Sequence, residues 1–283
     1  MAALDPAASP QASAWPIFDV HTHAFPDKVA ASAIPKLAAG AVWFKVTASH
    51  DGTVGGLLAS MDRAGIRKAV ICSIATRPEQ VPKITDWSAS IASERIVPFA
   101  SIHPDYPEPE AEIERIVRAG LRGLKFHPHY MKCPLDDPRA VRIARAAAAA
   151  GLAMAFHTGY DLAFAKDDLA GPERVLRLHE AVPTLRLMAA HCGGWERWPE
   201  VLRVLAGRPI YIETSFSLGR CPPDVFMEIL ERHAPGHLLF GTDSPWTAQE
   251  DEVRKFLALP IAEDLRRRIL WDNAHRFVGL PAV

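Results

Sequence analysis

Eight short apolar runs recur along this chain, most of them about 25 to 35 residues from the next, with helix-patterned stretches between them. The runs are "IFDVHTH" (17–23), "KAVICSIA" (68–75), "IVPFASIHP" (96–104) and "LRGLKFHP" (121–128). They continue with "LAMAFHTG" (152–159), "LRLMAAHCG" (185–193), "IYIETSF" (210–216) and "LLFGTDSP" (238–245). That spacing is the length of a strand–helix unit, and nearly continuous hydrophobic runs are how buried parallel strands read. Helical stretches such as "PEPEAEIERIVRAG" (107–120) and "DDPRAVRIARAAAAAG" (136–151) begin with Pro or acidic residues and end at Gly. Capping and the helix dipole favour that asymmetry.

Eight such units predict a single α/β domain, a (β/α)8 TIM-type barrel over residues 17–283, with an open doubly wound sheet as the competitor. A chain of 283 residues fits one barrel. The longest gap, residues 24–66, predicts an insertion after the first strand that could form a lid. Residues 1–16, "MAALDPAASPQASAWP", have no basic start and no apolar core. They read as a flexible tail or surface arm rather than a signal peptide. No stretch approaches 18 apolar residues without a charge or breaker, so no membrane span is expected.

In a barrel of this kind, functional groups gather at the C-terminal ends of the strands. Those ends carry His21 and His23, His103, Lys125 and His127, His157, His191, Glu213 and Asp243. Within "HTH" the alternation of a strand points His21 and His23 to one face, about 6.5–7 Å apart at Cα, so both rings can converge on one ion. Taken singly, each residue has an ordinary explanation. His157 and His191 sit beside turn glycines, Asp243 could cap a helix, and His103 and His127 precede prolines. Glu213 reads as an acceptor behind other groups, and Lys125 as either a packed lysine or a carboxylate binder. Together they form a pattern that scattered surface residues have no reason to make. Imidazoles with one carboxylate suit Zn²⁺, Mn²⁺, Fe²⁺ or Co²⁺ with a position open for water.

The charge balance excludes other partners. Lys and Arg number 32 against 33 Asp and Glu, a net charge of −1, which leaves no electrostatic footprint for nucleic acid or an anionic membrane. Four cysteines (Cys72, Cys133, Cys192, Cys221) form no C-x-x-C, which points to a reduced, cytoplasmic protein without a thiolate zinc site. The expected partner is a small-molecule substrate, and the sequence leaves a homo-oligomer open.

The ordered motifs "HTH", "GLKFHP" (123–128), "AHCGG" (190–194), "YIETS" (211–215), "FGTDSPW" (240–246) and "DNAHRFVGL" (272–280) resemble the amidohydrolase superfamily. The resemblance is closest to its amidohydrolase-2 branch, which includes relatives of aminocarboxymuconate-semialdehyde decarboxylase. It covers the chain from about residue 17 to 280. What it implies is that His21, His23, His157 and Asp243 ligate one divalent ion, zinc first, with manganese, iron or cobalt as alternatives. His191 would be the general acid/base, or a ligand of a second ion in two-metal relatives. Lys125 stands where some two-metal members carry a carboxylated lysine, but "KFHP" resembles the branch in which one ion suffices, so a second is not expected.

Metal-activated hydrolysis of a small ester, amide or lactone is the leading expectation, with Asp243 and His191 moving protons. The alternative is non-oxidative decarboxylation of a small unsaturated or aromatic acid. Lys125, His127, Arg77, Arg220 and Trp246 would then contact substrate, the arginines as carboxylate clamps. Tyr130, Tyr160 and Trp195 near the same mouth suit a planar substrate. A metal-containing barrel that only binds a ligand is the third reading.

Overall fold

Each expected run contains a β-strand: β1 (Phe18–Thr22), β2 (Lys68–Cys72), β3 (Ile96–Phe99), β4 (Gly123–Phe126), β5 (Ala153–Phe156), β6 (Arg186–Ala189), β7 (Tyr211–Glu213) and β8 (Leu238–Leu239). The computed structural model describes residues 15–281, so nearly all of the expected N-terminal tail lies outside the described residues. The strands pair in parallel and in chain order, β1 to β3 in one sheet and β4 to β8 in another. Two seams join them. The amide of Ala100 donates to Gly123 O at 3.0 Å and that of Lys125 to Ala100 O at 2.8 Å, while Val20 N donates to Phe240 O at 3.0 Å and Asp243 N to His21 O at 2.8 Å. The sheet therefore closes, and the fold is a (β/α)8 barrel rather than an open sheet.

Alternation along the strands separates two cores. Inward-facing Phe18, Val20, Val70, Phe99, Ala155 and Leu239 pack with Trp271, Ala274, Phe277 and Val278 of the C-terminal segment, which plugs the barrel floor. Ile71, Leu124, Phe156, Leu187 and Ile212 face outward against the surrounding helices. Gly123 has no side chain because Phe99 occupies that space: an added Cβ would lie 2.6 Å from its ring. Truncating a fully buried plug residue such as Phe277 would cost about 3–5 kcal/mol.

The strands stop short of the sequence runs, because the residues beyond them turn into the mouth. β1 shows why this matters. Asp19 is in register with Ala69, but Thr22 is in register with Ile71, so β1 carries one extra residue. Such a bulge re-aims side chains. It turns His21 away from the outward side occupied by Asp19 and into the barrel mouth.

The gap after β1 is a helix, Asp27–Gly40, followed by a loop, before the barrel helix Val54–Ala64. This insertion lies across the mouth. Val42 N donates to Leu162 O at 2.8 Å, Trp43 Nε1 donates to Phe164 O at 3.0 Å, and Phe44 stacks on Phe216 with centroids 6.1 Å apart. Among the described residues no helix is long and apolar enough to cross a membrane.

Candidate metal centre and active site

At the mouth, hydrogen bonds behind each imidazole fix which nitrogen faces inward. His21 Nδ1 lies 2.9 Å from Glu213 Oε1, so it carries the proton and donates, leaving the Nε2 lone pair toward the cavity. His23 Nδ1 lies 2.8 Å from Cys72 O, a pure acceptor, with the same consequence. The two Nε2 atoms then meet Asp243 Oδ1 at 3.6 Å and 3.1 Å. Three lone-pair atoms thus converge, all within 4.8 Å of one another. Such an arrangement is repulsive unless a cation sits against the atoms, as the Lys125 ammonium does beside His21 Nε2 and a metal ion would among all three. Metal–ligand bonds of about 2.0–2.2 Å place ligand atoms roughly 3–3.6 Å apart, so this donor set fits a divalent ion.

Burial, and then the charge of Lys125, lower the His21 pKa well below its ordinary value, which keeps the ring neutral as a ligand must be. Lys125, 1% exposed on β4, places Nζ 2.9 Å from His21 Nε2.

Glu213 organises the second layer. Its Oε1 accepts from His21 Nδ1 at 2.9 Å, from His191 N at 3.0 Å and from Ser215 Oγ at 2.6 Å. Ser215 Oγ in turn lies 2.9 Å from His191 Nδ1. Gly241 leaves room for this carboxylate, since an added Cβ would lie 2.2 Å from Glu213 Oε2. His191 and Asp243 have φ of +57° and +64°, left-handed values that are costly outside glycine. The bonds from His191 N to Glu213 Oε1 and from Asp243 N to His21 O hold them there.

His157, expected as a fourth ligand, stands one step from the converging triad. Its Nδ1 lies 3.1 Å from His191 Nε2, and its Nε2 lies 3.0 Å from Tyr160 O. Its ring stacks on His127 with centroids 4.1 Å apart, and His127 Nε2 reaches Asp161 Oδ2 at 3.2 Å. His103 turns away: it accepts from Asp105 N at 3.2 Å and does not line the cavity.

These groups form one end of a cavity of about 500 Å³. Lys125, His127, Tyr130, Tyr160, Trp195 and Trp246 line it, as the sequence placed them near the mouth. Arg77 and Arg220, expected as carboxylate clamps, are not among the residues that line the cavity. Arg77 is exposed on the loop after β2. Arg220 packs its guanidinium over Phe44 and Phe216, 4.5 and 4.2 Å from their centroids. Sequence position brought both to the correct end of the barrel but could not give their direction. Ser215, Asp161 and the Cys72 carbonyl were missed. Asp161 had a weak signal, four residues after His157, whereas a backbone carbonyl has none.

The family model described as Amidohydrolase matches residues 18–280. The chain belongs to the amidohydrolase family. Solved structures share its architecture at low identity. The 5-carboxyvanillate decarboxylase of Novosphingobium aromaticivorans, solved with manganese and 3-methoxy-4-hydroxy-5-nitrobenzoic acid, is 15% identical with TM-score 0.72, covering 94% of this chain and 98% of that one. The 2,6-dihydroxybenzoate decarboxylase of Rhizobium is 16% identical with TM-score 0.67, covering 94% and 99%. An uncharacterized TIM-barrel protein of Bordetella bronchiseptica is 20% identical with TM-score 0.74, covering 93% and 98%. A sequence search of curated proteins returns no match.

Proposed function

We propose that this amidohydrolase is a metal-dependent, non-oxidative decarboxylase of an aromatic or unsaturated carboxylic acid. The observation that carries the reading is the convergence of His21 Nε2, His23 Nε2 and Asp243 Oδ1 beside buried Lys125, at one end of a cavity with mostly apolar and aromatic walls. The two decarboxylases of the same fold support this chemistry over the hydrolysis that the sequence placed first.

His21, His23 and Asp243 would hold one ion, with His157 as the expected fourth ligand. When bound, a divalent ion supplies a Lewis-acidic anchor for substrate oxygens. Manganese, present in a relative, and zinc are the two ions to test first. With His21 Nε2 committed as a ligand, Lys125 loses its acceptor and turns its N–H groups to the substrate carboxylate. In the reaction the bond between the substrate carbon and its carboxylate breaks, CO2 leaves, and the electron pair stays on carbon, which takes up one proton. Asp243 and His191 are the cavity groups that can hold that proton. Apolar walls favour the step, because the localised charge of a carboxylate becomes neutral CO2 and a delocalised anion.

The test is to load the protein with Mn²⁺ or Zn²⁺ and incubate it with hydroxybenzoates and, separately, with esters and lactones. Release of CO2 with loss of the carboxyl signal in ¹³C NMR is expected. Acidification from esters or lactones without CO2 would replace this reading with hydrolysis. Metal binding with neither reaction would leave a ligand-binding barrel.

A further inference from the structure

The cavity is larger than a single-ring acid needs, and the surplus is apolar. A water takes about 30 Å³ in the liquid. Even if each of the ten heavy atoms of 2-hydroxybenzoate took that share, the acid would fill about 300 Å³ of the 500 Å³ and leave roughly 200 Å³ over. The metal-competent groups occupy one end. The cavity's apolar lining includes Phe25, Val29, Leu37 and Val46 from the insertion after β1, and Ile84 and Trp87 from the helix Val81–Ser90 after β2.

Val29 is 45% exposed although it lines this space, so the fold leaves it without a full apolar partner. The lining acids, Asp161 and Asp243, belong to the polar end. Lys125 sits with them beside His21, and the charged lining residue left over is Lys83, exposed and without an ion-pair partner among the described residues. Water gains little from such walls, whereas an apolar ligand body gains by burial.

We infer that the substrate is a carboxylic acid with an extended apolar body, a second ring or an alkyl chain, seated between the insertion and the helix Val81–Ser90. Lys83 at the rim admits a neutral or anionic terminus and disfavours a cationic one. The inference rests on the decarboxylase reading only for its turnover measurement, because binding is read separately.

The experiment compares 2-hydroxybenzoate with its 4-phenyl and 4-hexyl derivatives on the metal-loaded full chain. Affinity is followed by quenching of tryptophan fluorescence, and kcat/KM by CO2 release. The extended acids are expected to bind at least about tenfold more tightly and to show a similar gain in kcat/KM. Val29→Trp and, from the facing element, Ile84→Trp should each bring the affinity ratio toward one, with circular dichroism confirming that the variants fold. Equal or better binding of 2-hydroxybenzoate by the wild-type protein overturns the inference. So does an affinity ratio unchanged in both folded variants. Preferential binding of the extended acids with no CO2 from any of them sustains the inference and removes the decarboxylase reading instead.

Discussion

Lys125 Nζ lies 2.9 Å from His21 Nε2, the nitrogen that also faces Asp243 Oδ1 at 3.6 Å. A buried lysine beside a metal-competent imidazole cannot share that lone pair with an ion, so it is free to serve substrate. Lys125→Met should therefore retain metal while kcat/KM for a carboxylate substrate falls by at least about tenfold, as truncating one partner of a buried charge pair does. Metal analysis beside steady-state kinetics checks this. Loss of the ion in the variant would show that Lys125 belongs to the metal centre itself.

Protein purified without chelator should carry about one divalent transition-metal ion per chain, and Asp243→Asn should lower that content. The variant keeps the shape of the side chain but loses the anionic oxygen that both imidazoles face. Plasma mass spectrometry of the two proteins decides the point. Metal near zero in the wild type would remove the proposed centre.

Glu213 is not itself a lining residue, yet its Oε1 orients His21 and holds the backbone of His191. Glu213→Gln keeps the size but places one amide nitrogen among donors. Such changes behind a ligand typically weaken metal binding by about 10–100-fold. Competition with a fluorescent chelator should show that loss while circular dichroism stays native. Unchanged affinity would mean that the orientation of His21 is set elsewhere.

Stability should fall on acidification below neutral pH, and one contribution can be isolated away from the site. Burial lowers the His233 pKa from 6.5 to about 4, and its Nε2 donates to Ile210 O at 2.8 Å. Between those values the unfolded chain binds a proton that the native state does not. The stability is thus present above about pH 6.5 and lost as pH falls toward 4. The full effect is on the order of 3 kcal/mol. Urea unfolding at several pH values should show a shallower pH dependence for His233→Gln than for the wild type. An identical slope would mean that His233 does not contribute.

Gly159 has φ of +86°, and an added Cβ would lie 2.1 Å from Trp195 N and 2.3 Å from Trp195 O. Those are backbone atoms and cannot step aside. Gly159→Ala should lower Tm by about 5 °C or more, since several kcal/mol of strain translate to that shift in a chain of this size. A calorimetric scan matching the wild type would show that the turn after His157 can rebuild.

The barrel was legible because its signal is local. Apolar runs at strand–helix spacing, acids and prolines at helix starts and glycines at their ends fixed eight strands in order. The rule that function gathers at strand ends then picked out His21, His23, Lys125, His127, His157, His191, Glu213 and Asp243, and with them His103, which does not line the cavity. Contacts between distant residues decided the rest. His21 meets Glu213 across 192 positions and Lys125 across 104, so the facing nitrogen and the neighbour of Lys125 exist only once the sheet has closed. The bulge that swings His21 inward, the pairing of His157 with His191 and the packing of Arg220 over Phe44 and Phe216 are likewise products of the closed fold. Backbone periodicity is written residue by residue, whereas the direction of a side chain at a barrel rim depends on which partners the closed fold brings within a few ångströms.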